Sequence, residues 1–143
     1  MKKISIIYWS GTGNTEKMAN AILEGAKIDG VDVSLLNVSE ASVDDVKNSD
    51  IVVLGCPSMG AEQLEESEME PFVQSIESEV KGKKVALFGS FGWGDEQWMR
   101  DWEERMEQNG ANLVQDQGLT ANNEPDEEAL SKCKDLGELL IIE

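Results

Sequence analysis

Residues 4–19 read "ISIIYWSGTGNTEKMA". The first five, Ile4 to Tyr8, are mostly β-branched or aromatic and form a buried strand. Helical spacing follows from about Thr15 to Ala26, with Met18, Ala19, Ile22 and Leu23 on one face. Between the two lies "SGTGNT", Ser10 to Thr15, a tight turn with two glycines and four hydrogen-bonding side chains. A strand that enters a helix through such a loop opens a parallel α/β fold. The first N–H groups of the helix and the positive end of its dipole point into the loop, which makes it an anion cradle.

The same alternation continues along the chain. Val31 to Leu36 and Ile51 to Leu54 read as the second and third strands, with the connector "SEASVDDVKNSD" between them. Helical spacing runs from about Leu64 to Val80, and Pro71 predicts that the helix proper starts there. Val85 to Phe88 is the fourth strand, and Trp98 to Gln108 a helix that stops at Gly110. The fifth strand is weak, at Leu113-Val114 with a resumption near Gly118-Leu119. A last helix spans about Asp126 to Ile142. Continuous apolar strands alternating with amphipathic helices predict one domain over residues 1–143, a parallel sheet covered on both faces. Ligands of such sheets bind at the C-terminal strand edge.

The spelling of the cradle narrows the ligand. A nucleotide-hydrolysing phosphate loop ends in G-K-[ST], and no lysine stands here. A dinucleotide fingerprint needs a third glycine where Glu16 sits, and an acid at the end of strand two where the chain has Asn37. A well-capped turn and a phosphate monoester held by neutral donors alone remain. A second segment, "LFGSFGWGDEQW" (87–98), sets Trp93 between two glycines at a loop tip. That indole either folds back on the sheet or is covered by a ligand.

Composition excludes several classes. The 143 residues are enough for one core and hold no apolar run near the ~20 residues of a membrane span. The run in "MKKISIIYWSG" is too brief for a signal peptide, so the expected location is the cytoplasm. Cys56 and Cys133 belong to no C-x-x-C pair and read as free thiols. There is no histidine, which removes the usual general base and metal ligand. A net charge of −17 disfavours nucleic acid and anionic membranes and favours a partner with a basic surface.

"YWSGTGNTEKMA" (8–19) resembles the phosphate loop of flavodoxins, small electron carriers that contain FMN. "GCPSMGAEQLEESEMEPF" (55–72), "GKKVALFGSFGWGDEQWMRDWEERM" (82–106) and "NEPDE" (123–127) are similar to the matching regions of short-chain flavodoxins from anaerobic bacteria. The resemblance covers essentially the whole chain. It implies a three-layer α/β sandwich with a five-stranded parallel sheet in the order 2-1-3-4-5, helices on both faces and FMN at the switch point. It implies that Ser10, Gly11, Thr12, Gly13, Asn14 and Thr15 hold the phosphate. Ser58, Met59, Gly60, Ala61 and Glu62 would meet the flavin from the loop after strand three. Ser90, Phe91, Gly92, Trp93 and Gly94 would do so after strand four, and Asn123 after strand five. Trp93 would stack on one face of the ring and Met59 cover the other. Trp9 and Trp98 are expected as wall and packing, and Pro57 is left outside the set.

The family likeness also implies a Met59–Gly60 peptide that turns over when the flavin gains one electron, with glycine tolerating both backbone states. Ala61 supplies no side-chain contact there. Glu62 would face the pyrimidine end of the ring. The implied function is a low-potential one-electron carrier that cycles FMN between semiquinone and hydroquinone, replaces ferredoxin between redox enzymes and turns over no substrate. Glu62, Glu65, Glu66, Glu68 and Glu70 form a run with no base among them. One charge ~10 Å from the ring, at an effective dielectric of roughly 40, opposes its reduction by about 0.8 kcal/mol, or roughly 35 mV. The same acids would steer a monomer to basic docking sites. An FMN-dependent quinone reductase needs open space over the ring, and a phosphoacceptor receiver domain needs acids where "SGTGNT" and "CPSMG" stand.

Overall fold

The computed structural model describes all residues from Met1 to Glu143. The elements are β1 (Lys2–Tyr8), α1 (Asn14–Ala26), β2 (Val31–Asn37), a 3₁₀ turn (Val38–Glu40), α2 (Val43–Lys47), β3 (Ile51–Gly55), α3 (Met69–Ile76), β4 (Lys84–Phe91), α4 (Gln97–Gln108), β5 (Asn112–Leu113), β6 (Leu119–Asn122) and α5 (Glu127–Ile142). All strand pairs are parallel, and the sheet order is β2-β1-β3-β4-β5 with β6 also paired to β4. No helix is long and apolar enough to cross a membrane.

The expected fifth strand is therefore two strands. Leu113 pairs with Val85 and Leu119 with Phe88, so the chain between Leu113 and Leu119 spans a much shorter stretch of β4 and must bulge away. Side chains replace the missing ladder. The Gln115 amide oxygen accepts the Leu87 N–H at 2.9 Å, and the Glu103 carboxylate accepts that of Gly118. A strand interrupted in this way shows only fragments of period-two patterning, which is why it read as weak.

Alternate strand residues supply two cores. Ile7, Val52, Leu54, Val85 and Leu87 pack with Met69, Phe72 and Ile76 of α3 and with Trp98, Trp102 and Met106 of α4. On the other face Ile4, Ile6, Val53, Ala86 and Phe88 meet Met18 and Ile22 of α1 and Cys133, Leu136 and Leu140 of α5. Here α1 and α5 touch backbone to backbone. A Cβ on Gly25 would lie 2.0 Å from the Lys134 carbonyl oxygen, and one on Gly137 2.2 Å from that of Ile22.

Helix ends differ from expectation in one informative place. The helix expected to begin at Pro71 begins at Met69, and it ends at Ile76 rather than near Val80. Pro71 sits in the first turn, where its missing N–H has no intrahelical partner to lose. The earlier start is set by Glu65. Its carboxylate accepts the N–H groups of Ser67 (2.8 Å), Glu68 (2.8 Å) and Met69 (3.0 Å) and also the Ser67 hydroxyl. In α5, Asp126 caps Ala129 N–H at 2.8 Å, and Glu127 and Glu128 favour the positive end of the dipole.

Candidate functional site

Four loops converge at the C-terminal edge of the sheet around a cleft of about 260 Å³. Its first wall is the loop after β1. Gly13 is the N-cap of α1 with φ 94°, and the Ser10 hydroxyl accepts the N–H groups of Gly13 (3.1 Å) and Glu16 (3.3 Å). Ser10 thus braces the loop from within. The N–H groups of Gly11, Thr12, Asn14 and Thr15 donate to nothing in the chain. Gly11, Thr12 and Asn14 line the cleft directly. Thr15 is buried, and its hydroxyl meets that of Ser90 at 2.9 Å, tying the first turn of α1 to the end of β4. No lysine or arginine lines the cleft. The closest cation along α1, Lys17, is spent on Glu124 at 2.6 Å.

Trp9 supplies a wall that the sequence placed only loosely. Its indole leans over Gly11, where an added Cβ would come within 2.9 Å of the ring. Trp9 and Met59 line both the cleft and an adjoining recess of about 280 Å³ that includes Gly60, Gln63, Leu64 and Glu65. Pro57, left out of the expected set, also lines the cleft. Its position straight after a buried strand was the available signal.

After β3 the chain stays close to β4, with Ser58 N–H on the Ser90 carbonyl at 3.0 Å. Met59 and Gln63 then exchange backbone bonds of 2.8 and 2.9 Å, closing a tight turn over Gly60, Ala61 and Glu62. Gly60 has φ 50° and Glu62 φ 53°. The Met59 carbonyl is held by the Gln63 N–H, whereas that of Gly60 meets no donor in the chain. Turning over the expected Met59–Gly60 peptide would break the Gln63 bond, whereas no bond within the chain holds the Gly60 carbonyl. Ala61 lies exposed at the tip of the turn. Glu62 does not line the cleft; its carboxylate accepts the Gln97 N–H at 3.1 Å and packs against Gly94.

The loop after β4 brings Phe91 and Gly92 into the lining, beside Ser90. Trp93 is 64% exposed at its tip, flanked by Gly94, and neither lines the cleft. The indole does not fold back on the sheet. Trp98 is core instead: it is buried, gives its N–H to the Cys56 carbonyl at 3.1 Å and tilts against Phe91 at 5.7 Å between ring centres. Asn123 closes the cleft from the loop after β6, its N–H on the Phe91 carbonyl at 2.7 Å.

The acidic run after Gly60 separates into two populations. Glu65 is 5% exposed and is a helix cap rather than a solvated charge. Burial works against its ionised form, but the bonds from the Ser67 hydroxyl and from the Met69, Glu68 and Ser67 N–H groups outweigh it and hold the carboxyl below its usual range. Glu70 is not free of cations either. Arg105 of α4 grips it through two nitrogens at 2.9 and 2.7 Å and reaches Glu77 at 3.1 Å. That grip is the main reason the Glu70 carboxyl also sits below its usual range. Glu66 and Glu68 remain exposed, as do Asp95, Glu124 and the Asp126–Glu128 run. Cys56, at the end of β3, accepts the Glu65 N–H at 3.4 Å, and burial pushes its thiol up to about 12. Burial likewise pushes Cys133 up to about 12.

Known proteins match this chain in sequence and fold over nearly all of its length. The Flavodoxin family model matches residues 6–137. The chain is 54% identical over 134 residues to the flavodoxin of Clostridium beijerinckii, covering 94% of this chain and 96% of that one. It is 47% identical over 135 residues to the flavodoxin of Megasphaera elsdenii, again 94% and 96%. The solution structure of two-electron reduced Megasphaera elsdenii flavodoxin superposes with a TM-score of 0.87 over 98% of this chain and 99% of that one. An archaeal flavodoxin, 29% identical, reaches a TM-score of 0.88 over 98% and 96%. Fold, loop chemistry and sequence agree, and the chain belongs to the flavodoxin family.

Proposed function

We propose that this chain carries electrons singly between redox proteins, using FMN held without a covalent bond in the cleft, and that it turns over no substrate of its own. The observation that carries the reading is the set of four unpartnered N–H groups at Gly11, Thr12, Asn14 and Thr15 in a cleft with no cation. Such donors suit a phosphate monoester at a helix N-terminus. A lysine or arginine there would instead raise the potential of a nearby redox group. When bound, FMN supplies a flat ring that accepts and returns electrons one at a time.

The remaining work belongs to the chain. Thr12 and Asn14 add side-chain donors at the phosphate. Met59 supplies a polarizable wall on one side of the ring, and the exposed Trp93 is free to cover the other. The Gly60 carbonyl, without an intramolecular donor, would be able to accept a hydrogen bond from a ring N–H if the Gly60–Ala61 peptide turned toward it. The Glu62 carboxylate, seated between the two loops on the Gln97 N–H, would face the polar ring edge.

Exposed acids around these loops and the net charge of −17 fit basic docking surfaces on the partners and a monomeric carrier in the cytoplasm. The test is reconstitution of the FMN-free chain followed by stepwise reduction. Stoichiometric uptake and two separate one-electron steps are expected; direct two-electron bleaching by NAD(P)H would favour a reductase instead. Electron transfer to a basic partner should slow as ionic strength rises, and a flat or rising rate removes the steering.

A further inference from the structure

The three non-glycine residues with left-handed backbone, Glu62 (φ 53°), Glu96 (φ 71°) and Asn123 (φ 57°), all lie in loops around the cleft. Each is attached to the segment that carries Trp93. Asn123 N–H binds the Phe91 carbonyl at its entry, and the Glu62 carboxylate takes the Gln97 N–H just past its exit. Glu96 stands at the exit itself. Its carbonyl accepts the Met99 (3.0 Å) and Arg100 (3.2 Å) N–H groups that open α4, and its carboxylate accepts the Thr120 hydroxyl. Thr120 lies in β6, paired with Gly89 of β4. The bond therefore fastens the end of the loop to the sheet edge.

Between these anchors, Gly92, Trp93, Gly94 and Asp95 are exposed and make no hydrogen bond within the chain. Nothing local fixes the indole, so its placement follows from the two ends of its loop. A left-handed position favours glycine, and what glutamate adds at 96 is a reach to Thr120. We propose that Glu96 and Thr120 are positioning residues that hold the Trp93 loop in the conformation able to cover the flavin, an inference that rests on the FMN reading of the cleft. Neither touches the cleft. They act by raising the fraction of chains in which the loop is ready, and apparent affinity falls in proportion when that fraction falls.

The experiment compares the parent chain with Thr120→Val, Thr120→Ser and Glu96→Gly. Two quantities are read: ¹⁵N order parameters of residues 92–95 in the FMN-free chain, and the FMN dissociation constant from quenching of flavin fluorescence. A hydrogen bond to an ionised acceptor is strong enough that its loss should weaken FMN binding about tenfold in Thr120→Val. Order parameters of the loop should fall to roughly 0.6 or below. Thr120→Ser, which keeps the hydroxyl, should match the parent in both. Glu96→Gly, which removes the carboxylate and relieves the backbone, should follow Thr120→Val. Equal behaviour of the valine and serine variants overturns the proposal, as does a Thr120→Val chain altered only in melting temperature. If the parent itself takes up no FMN, the cofactor reading fails, and the order parameters still decide whether the carboxylate–hydroxyl bond orders the loop.

Discussion

Replacing Glu65 with alanine removes a carboxylate that satisfies three consecutive N–H groups, Ser67, Glu68 and Met69, at the start of α3. Loss of a helix cap costs about 1 kcal/mol. Met69 is fully buried, so its N–H would be left without a partner, adding about 2 kcal/mol. The sum of about 3 kcal/mol corresponds to a melting temperature lowered by about 9 °C for a domain of this size. Thermal unfolding of the FMN-free chain by circular dichroism is the assay. Glu65→Gln keeps one acceptor oxygen and should lose about half as much. The pH dependence gives an independent check. The folded Glu65 carboxyl lies below its ordinary range, so its stabilisation is present above the unfolded value of about 4.3 and disappears as pH falls through the folded value. The gap between parent and Glu65→Gln should accordingly be widest near neutrality and close in acid. A melting temperature within 2 °C of the parent in Glu65→Ala, or a gap that ignores pH, would refute the reasoning.

Three other outcomes are expected. Arg105→Ala releases two carboxylates bound at 2.7 to 3.1 Å and should destabilise the chain by about 2 kcal/mol, read by urea unfolding, with less effect below the folded Glu70 titration. Gly137→Ala forces a methyl to within 2.2 Å of the Ile22 carbonyl oxygen, so α1 and α5 must separate. A loss of about 3 kcal/mol should appear in the same assay, and an unchanged midpoint would mean that the contact yields freely. Gly60→Thr places a β-branched residue at φ 50° in the turn that adjoins the ring site. A penalty of about 1 kcal/mol falling on the one-electron-reduced state alone should move the two one-electron potentials about 40 mV each in opposite directions, narrowing their separation by about 80 mV, and an unchanged separation in a redox titration removes Gly60 from that role.

The sheet was legible because three strands are largely apolar runs and the second alternates apolar with polar residues, and the cradle because Ser10 to Thr15 closely follows the first of them. What escaped reading shares one cause: side chains that act on backbone far from their own pattern. Gln115 completes a ladder for Leu87, which hid the split of the last strand into β5 and β6. Glu65 reaches forward to cap α3, so it was grouped with the rest of the acidic run and Pro71 was read as the helix start. Glu62 likewise braces Gln97 across the site. Pro57 lines the cleft because it closely follows a strand end, a positional rule that its residue type does not announce, whereas Trp9 was expected as a wall and lines the cleft. Of the two readings left open for Trp93, the exposed indole excludes folding back on the sheet, since two glycines beside it leave no local side chain to pack on.

The two buried thiols have a practical consequence. With both held up to about 12, neither Cys56 nor Cys133 presents a thiolate near neutral pH. Maleimides and disulfide reagents will therefore bypass the native cysteines of the folded protein. A single substitution such as Glu66→Cys can then receive a spin label or fluorophore in the acidic run beside the cleft without a cysteine-free background being made first.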